Sequence, residues 1–152
     1  MSTIALRTFT SDDVDRYSRL LHALSRRDVR TRYFSWSAPA SPAEIRAAML
    51  GKDTVAGIAA HDSSGALIGV AQASRCSEGK FEIGVLVAES HRLRGIGGRL
   101  VDALLEKARI AGYSDAIAYS MMPNPAVEAV LRKRGFRASL TGQGIYRWCL
   151  RR

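Results

Sequence analysis

The chain has 152 residues, 47% hydrophobic and 24% charged, which suits one globular domain over residues 1–152 and excludes an intrinsically disordered chain. No apolar run nears the ~18 residues of a membrane span, no basic-then-apolar leader opens the sequence, and two distant cysteines, Cys76 and Cys149, exclude a disulfide framework and favour a reducing cytoplasm. Net charge is +9, and 19 of the 23 basic residues are arginine, a balance that favours an anionic partner such as a phosphorylated cofactor, nucleic acid or an acidic protein.

Residues 4–9 alternate weakly and predict a first strand. Thr10 and Asp13 suit a helix cap and first turn, and Val14, Tyr17, Leu20, Leu21 and Leu24 then recur at helical spacing. A second short helix is expected over residues 26–34. Ser41-Pro42-Ala43-Glu44 supplies a cap, a first-position proline and a capping-box glutamate, and starts a helix that ends near Gly51. Two apolar runs, 54–61 and 66–75, flank Asp62-Ser63-Ser64-Gly65 as a hairpin. A third run, 81–87, enters a glycine-rich turn and then a helix from about Gly97 to Ala111, stopped by Gly112. A strand at 114–121, a helix at 123–134 stopped by Gly135, and a strand pair at 136–140 and 145–150 complete the chain. The order is β-α-α-α-β-β-β-α-β-α-β-β. An antiparallel meander that passes into β-α-β crossovers predicts an α/β fold on a mixed sheet.

The most informative stretch is Val85-Leu86-Val87-Ala88-Glu89-Ser90-His91-Arg92-Leu93-Arg94-Gly95-Ile96-Gly97-Gly98-Arg99-Leu100. It reads as strand, glycine-rich loop and helix start. Main-chain N–H groups at such a start, with Arg92, Arg94 and Arg99 beside them, make a cradle for phosphate or pyrophosphate. The P-loop string G-x-x-x-x-G-K-[ST] is absent. The dinucleotide fingerprint G-x-G-x-x-G fails at Leu100 after Gly95 and Gly97, and it would follow the fourth strand rather than the first. The pattern R-x-x-G-x-G is met by Arg92, Gly95 and Gly97. A tight turn without a ligand is the plainer alternative.

Arg92-Leu93-Arg94-Gly95-Ile96-Gly97 resembles the pyrophosphate-binding signature of the GNAT superfamily of acetyl-CoA-dependent N-acetyltransferases. Asn124-Pro125-Ala126 through Arg134-Gly135-Phe136 is similar to the second landmark of that family, an asparagine opening a helix that closes in Gly-Phe. The resemblance spans nearly the whole chain. It implies a GNAT-like sheet splayed between its fourth and fifth strands, with acetyl-CoA in the splay. It also implies that Arg92, Leu93, Arg94, Gly95, Ile96, Gly97, Gly98 and Arg99 hold the pyrophosphate, and that main-chain groups of Val85, Leu86 and Val87 hold the thioester oxygen and pantetheine amides. Asn124 would contact the cofactor arm, although an N-cap role suits it equally. A narrower resemblance runs from Leu24-Ser25 to Arg32-Tyr33-Phe34 and over Phe81-Glu82-Ile83-Gly84-Val85-Leu86-Val87, which look like segments of bacterial protein-lysine acetyltransferase catalytic domains. Those domains are often fused to a partner, for which 152 residues leave no room.

Glu82 is the candidate general base. Its place between Phe81 and Ile83 reads as buried, and burial raises a carboxylate pKa toward working pH. An acceptor ammonium, with a reference pKa of ~10.4, must lose a proton before it attacks a thioester. Gly84, on the same strand face, leaves room for that acceptor. An inward charge paired with a core arginine is the alternative. The tyrosine that many GNAT enzymes use as acid for the leaving thiolate falls at Leu131 here; Tyr119 or Tyr146 would have to substitute, and the protein-lysine group also commonly lacks it.

The expected activity is transfer of an acetyl group from acetyl-CoA to a primary amine, without a metal, with a protein lysine favoured over a small amine. A non-catalytic CoA sensor is the rival that Leu131 supports and Glu82 opposes. A nucleic-acid module would use Arg16, Arg19, Arg26, Arg27, Arg30 and Arg32, but no recognisable binding motif accompanies them. His22, His61 and His91 share no metal spacing and read as surface or packing, and Tyr33, Phe34 and Trp36 as core or a substrate-site wall. Arg132, Lys133, Arg134 and Arg137 form a second basic cluster, suited to a 3′-phosphate, an acidic protein or a solvated helix face.

Overall fold

The computed structural model describes residues 3–25, 41–77, 79–121 and 124–151. Its strands are β1 (Ala5–Thr8), β2 (Thr54–His61), β3 (Leu67–Ser77), β4 (Lys80–Val87), β5 (Asp115–Met121), β6 (Arg137–Gly142) and β7 (Ile145–Leu150). The helices among the described residues are α1 (Val14–His22), α2 (Pro42–Leu50), α3 (Ile96–Ile110) and α4 (Pro125–Lys133). Over the described residues this order matches the sequence expectation. The helix expected at 26–34, with Tyr33, Phe34 and Trp36, lies outside the described residues.

One sheet holds all seven strands, in the order β1-β2-β3-β4-β5-β7-β6. β1 to β4 form an antiparallel meander. β4 and β5 run parallel because the chain between them crosses over through α3. β7 inserts antiparallel between β5 and β6. The fold is the mixed α/β arrangement that the sequence leads one to expect.

Local chemistry sets the joints. The Ser41 hydroxyl accepts from the Glu44 N–H at 3.2 Å and donates to Glu44 Oε1 at 2.7 Å, which fixes the start of α2. In the β2–β3 turn, Asp62 Oδ1 accepts from the Ser64 hydroxyl at 2.6 Å, the Ser64 N–H at 2.9 Å and the Ala66 N–H at 3.0 Å. Those donors, Ser64's hydroxyl foremost, hold the exposed Asp62 carboxyl below its usual pKa. The β6–β7 turn is tighter than the four residues expected. Gln143 and Gly144 alone make it, at φ 54° and 74°, the hand that matches strand twist.

Each sheet face has its own core. On one face, Ile58, Ile68, Phe81, Ile83 and Trp148 pack with Leu100, Val101 and Leu104 of α3. On the other, Phe9, Val14, Tyr17, Ile45 and Met49 pack with Val70 and Leu86 beneath α1 and α2. A buried hydrogen-bonded pair joins this second layer to the sheet. His61 Nε2 lies 2.9 Å from Asp13 Oδ1, with side-chain exposures of 3% and 6%. Asp13 Oδ2 also accepts from the Thr10 N–H at 2.9 Å, so one carboxylate closes the turn before α1 and docks it on β2.

Candidate active site

β4 and β5 pair over three positions only: Lys80 with Asp115, Phe81 with Ala116, and Glu82 with Ile117. Beyond Glu82, residues 83–87 of β4 continue to pair with β3 but not with β5. The sheet therefore splays at this point. Val85 and Val87 turn their main-chain groups to the open edge of β4, where no described strand pairs with them, whereas Leu86, also expected to serve there, turns its own toward Val70 of β3.

The loop after β4 begins with a 3-10 turn, Glu89–His91. Arg92 Nε donates to the Val87 carbonyl at 3.1 Å and folds the loop back on the strand end. Leu93 is 95% exposed and adopts φ 64°, a conformation that costs a non-glycine residue ~1–2 kcal/mol. Such strain clusters at ligand clamps. Gly95 caps α3 at φ 77°, which glycine adopts without that penalty. The N–H groups of Ile96, Gly97 and Gly98, at the first turn of α3, have no carbonyl four residues back within the helix. A Cβ on Gly97 would meet only the Val87 side chain, at 3.9 Å, so a ligand can approach the main chain closely. This geometry fits an anion of phosphate type.

The arginines divide unequally. Arg94 is exposed at the loop. Arg99 instead donates to the Ile4 carbonyl at 3.3 Å, beside β1. Arg134 lies across Gly98, where a Cβ would stand 2.5 Å from its guanidinium. It donates to Asp102 at 2.7 and 3.0 Å and to the Val130 carbonyl at 3.0 Å, tying α4 to α3. Arg132 sits 5.2 Å over the Trp148 ring and 3.7 Å from Glu128. Two members of the second basic cluster are thus internal ties; Lys133 and Arg137 are exposed. Asn124 caps α4: its side chain accepts from the Val127 N–H at 3.5 Å, and Glu128 accepts from the Asn124 N–H at 3.2 Å.

Glu82 departs from the expectation of burial, because it is exposed. The helices on its face explain this. α1 sits over β3 and α2 over β2, and among the described residues their core reaches β4 only at Leu86. Glu82, four residues earlier, lies beyond that cover. It stands at the last paired position before the splay. Leu131 is 2% exposed within the α3-side core, and Tyr146 packs edge-on to Trp148 with centroids 6.3 Å apart. Tyr119, 38% exposed, lies on the Glu82 face with Ile117, Arg147 and Cys149. Sequence reasoning did not single out Arg147; the alternation of Tyr146, Trp148 and Leu150 against Arg147 and Cys149 was its only signal. Cys76 and Cys149 are free thiols. Among the described residues, no helix is long and apolar enough to cross a membrane, and no three His, Cys, Asp or Glu side chains gather as metal ligands would.

A family model described as an acetyltransferase (GNAT) domain matches residues 3–137. Among solved structures, the GNAT domain of S. lividans PAT superposes with a TM-score of 0.83 at 20% identity, covering 97% of this chain and 89% of that one. A GNAT superfamily phosphinothricin acetyltransferase from Sinorhizobium meliloti, in complex with AcCoA, gives 0.79 at 22% identity over 99% and 88% of the two chains. The PaiA N-acetyltransferase from Thermoplasma acidophilum, in complex with coenzyme A, gives 0.76 at 15% identity over 99% of each.

Proposed function

The chain belongs to the GNAT acetyltransferase family and is an acetyl-CoA-dependent N-acetyltransferase, and from that premise we propose that Glu82 is its general base and a primary amine its acceptor. The observation that carries the reading is the position of Glu82, the last β4 residue in register with β5, at the apex of the splay. Residues 1–152 act as a single domain in this reading.

Acetyl-CoA supplies an activated acetyl thioester. The α3 loop, from Arg92 to Arg99, holds its pyrophosphate on main-chain N–H groups, with Arg94 adding charge. Arg99 and Asn124, engaged with Ile4 and Val127, contribute by shaping the loop and the start of α4. The open β4 edge at Val85 and Val87 holds the acyl carbonyl and pantetheine amides, and a main-chain N–H there opposes the negative charge developing on the oxygen.

The α3 start and Glu82 belong to opposite faces of the sheet. Cofactor and acceptor therefore approach from opposite sides and meet in the gap. Glu82 takes a proton from the acceptor ammonium, directly or through water, and frees the nitrogen lone pair to attack. A thiolate is a tolerable leaving group, and Tyr119 is the phenol beside the gap that can protonate it.

A protein lysine is the acceptor that the Leu24–Phe34 and Phe81–Val87 resemblances favour. A small amine is the second reading, supported by the phosphinothricin acetyltransferase among the similar structures. The test is Glu82→Gln. Turnover should fall by about 100-fold or more while acetyl-CoA affinity is retained. Undiminished turnover would reject Glu82 as the base.

A further inference from the structure

We propose that the acceptor carries an anionic group near its amine, and that Arg147 is the residue that binds it; this rests on the reading of Glu82 as the base. The strand registers put two rows of side chains on one sheet face. Glu82, Ile117, Cys149 and Arg137 form the first row, and Tyr119, Arg147 and Ser139 the second, nearer the open end of the splay. A carboxylate thus stands on β4, and two guanidinium groups stand on β7 and β6 of the same face. Glu82 and Arg147 are separated by two strand spacings and one two-residue step, roughly 12 Å between Cα atoms before the splay widens it. Extended glutamate and arginine side chains leave a gap that a short bifunctional molecule spans.

Arg147 differs from the arginines of the fold that have a carboxylate beside them. Arg75, Arg109, Arg132 and Arg134 lie beside Asp53, Glu106, Glu128 and Asp102. Arg147 is half-buried, yet among the described residues it forms no ion pair. A partly desolvated cation without a counter-charge is costly unless a ligand supplies one. The remaining charges on this face of β4 to β7 are Lys80 and Asp115, set opposite each other at the closed end of the splay. No described carboxylate therefore lies between Arg147 and the gap. An ammonium directed to Glu82 and an anion directed to Arg147 would orient the acceptor, and a guanidinium holds a carboxylate by paired charge-assisted hydrogen bonds. The same chemistry could come from a free amino acid or from an acidic residue beside a peptide lysine.

The test compares acceptors that differ only in the anion. One arm sets 4-aminobutanoate and 6-aminohexanoate against their carboxamides. The other sets a lysine peptide flanked by aspartate against the same peptide with asparagine. Wild-type enzyme should prefer the anionic member in at least one arm by about tenfold or more in kcat/KM. The arm that responds identifies the source. Arg147→Gln should abolish the preference with acetyl-CoA affinity intact, and Arg147→Lys should keep part of it. Equal rates within every pair, a preference that survives Arg147→Gln, or no transfer to any anionic acceptor while acetyl-CoA binds would overturn the proposal. The wild-type comparison decides even where Arg147→Gln does not fold. Failure to bind acetyl-CoA would instead reject the cofactor site.

Discussion

Glu82 and Ile117 are the last residues at which β4 and β5 pair, and the two strands part immediately beyond them. This places a carboxylate at the apex of the gap, with the open edge of β4 leading from it to the α3 loop. The strand and loop together span the distance from the reacting nitrogen to the phosphate cradle.

Gly95 sits at φ 77°, and the next three residues begin α3. Gly95→Ala should cost about 1–2 kcal/mol of stability through left-handed strain. It should also weaken acetyl-CoA binding, because the strained loop relaxes by turning its N–H groups. Denaturation and calorimetric titration of the same variant check both effects. Unchanged affinity would detach the loop from the cofactor.

Gly98 and Arg134 are coupled. A methyl at position 98 would stand 2.5 Å from the Arg134 guanidinium, which Asp102 and Val130 hold in place. Alanine in a helix is otherwise worth about 0.8–1 kcal/mol over glycine. Gly98→Ala should therefore stabilise the protein in an Arg134→Ala background and do less, or harm, in the wild type. A double-mutant cycle by chemical denaturation measures the difference.

The Asp13–His61 pair is buried, and among the described residues His61 Nδ1 has no hydrogen-bond partner. Asp13→Ala would leave both ring nitrogens unpaired and remove the acceptor of the Thr10 N–H. The expected cost is about 2–4 kcal/mol. The double variant Asp13→Ala, His61→Leu should lose less than the two single losses combined, because no orphaned imidazole nitrogen remains and only the Thr10 N–H has lost its acceptor. Equilibrium unfolding of the three variants tests this.

The layout was readable from sequence because its signals are local. Ser41 and Glu44 announce α2, Gly112 and Gly135 end their helices, and Arg92-x-x-Gly95-x-Gly97 marks the cradle. What was not readable depends on contacts distant in sequence. Burial of Glu82 failed as an expectation because flanking Phe81 and Ile83 point to the opposite face, while α1 and α2 cover β2 and β3. The bond of Arg134 to Asp102, 32 positions earlier, removes it from the ligand-binding arginines. Arg147 joins the Glu82 face only through the insertion of β7 beside β5.

Asp62 adds a pH-dependent contribution. Its pKa is lowered in the folded protein, so its stabilisation is present above the ordinary carboxylate pKa and is lost as pH falls through the folded value. The difference in melting temperature between wild type and Asp62→Ala should hold through neutral pH and shrink in acid. A constant difference would assign the effect to turn geometry alone.

The role of Glu82 is tested most directly by the pH dependence of acetyl transfer in wild type and Glu82→Gln. Near neutrality a Glu82 base should separate the two rates by about 100-fold or more. As pH rises toward the amine's own pKa of ~10.4, solvent removes the proton and the gap should close. A gap that stays constant across that range, or is absent throughout, would contradict proton removal by Glu82.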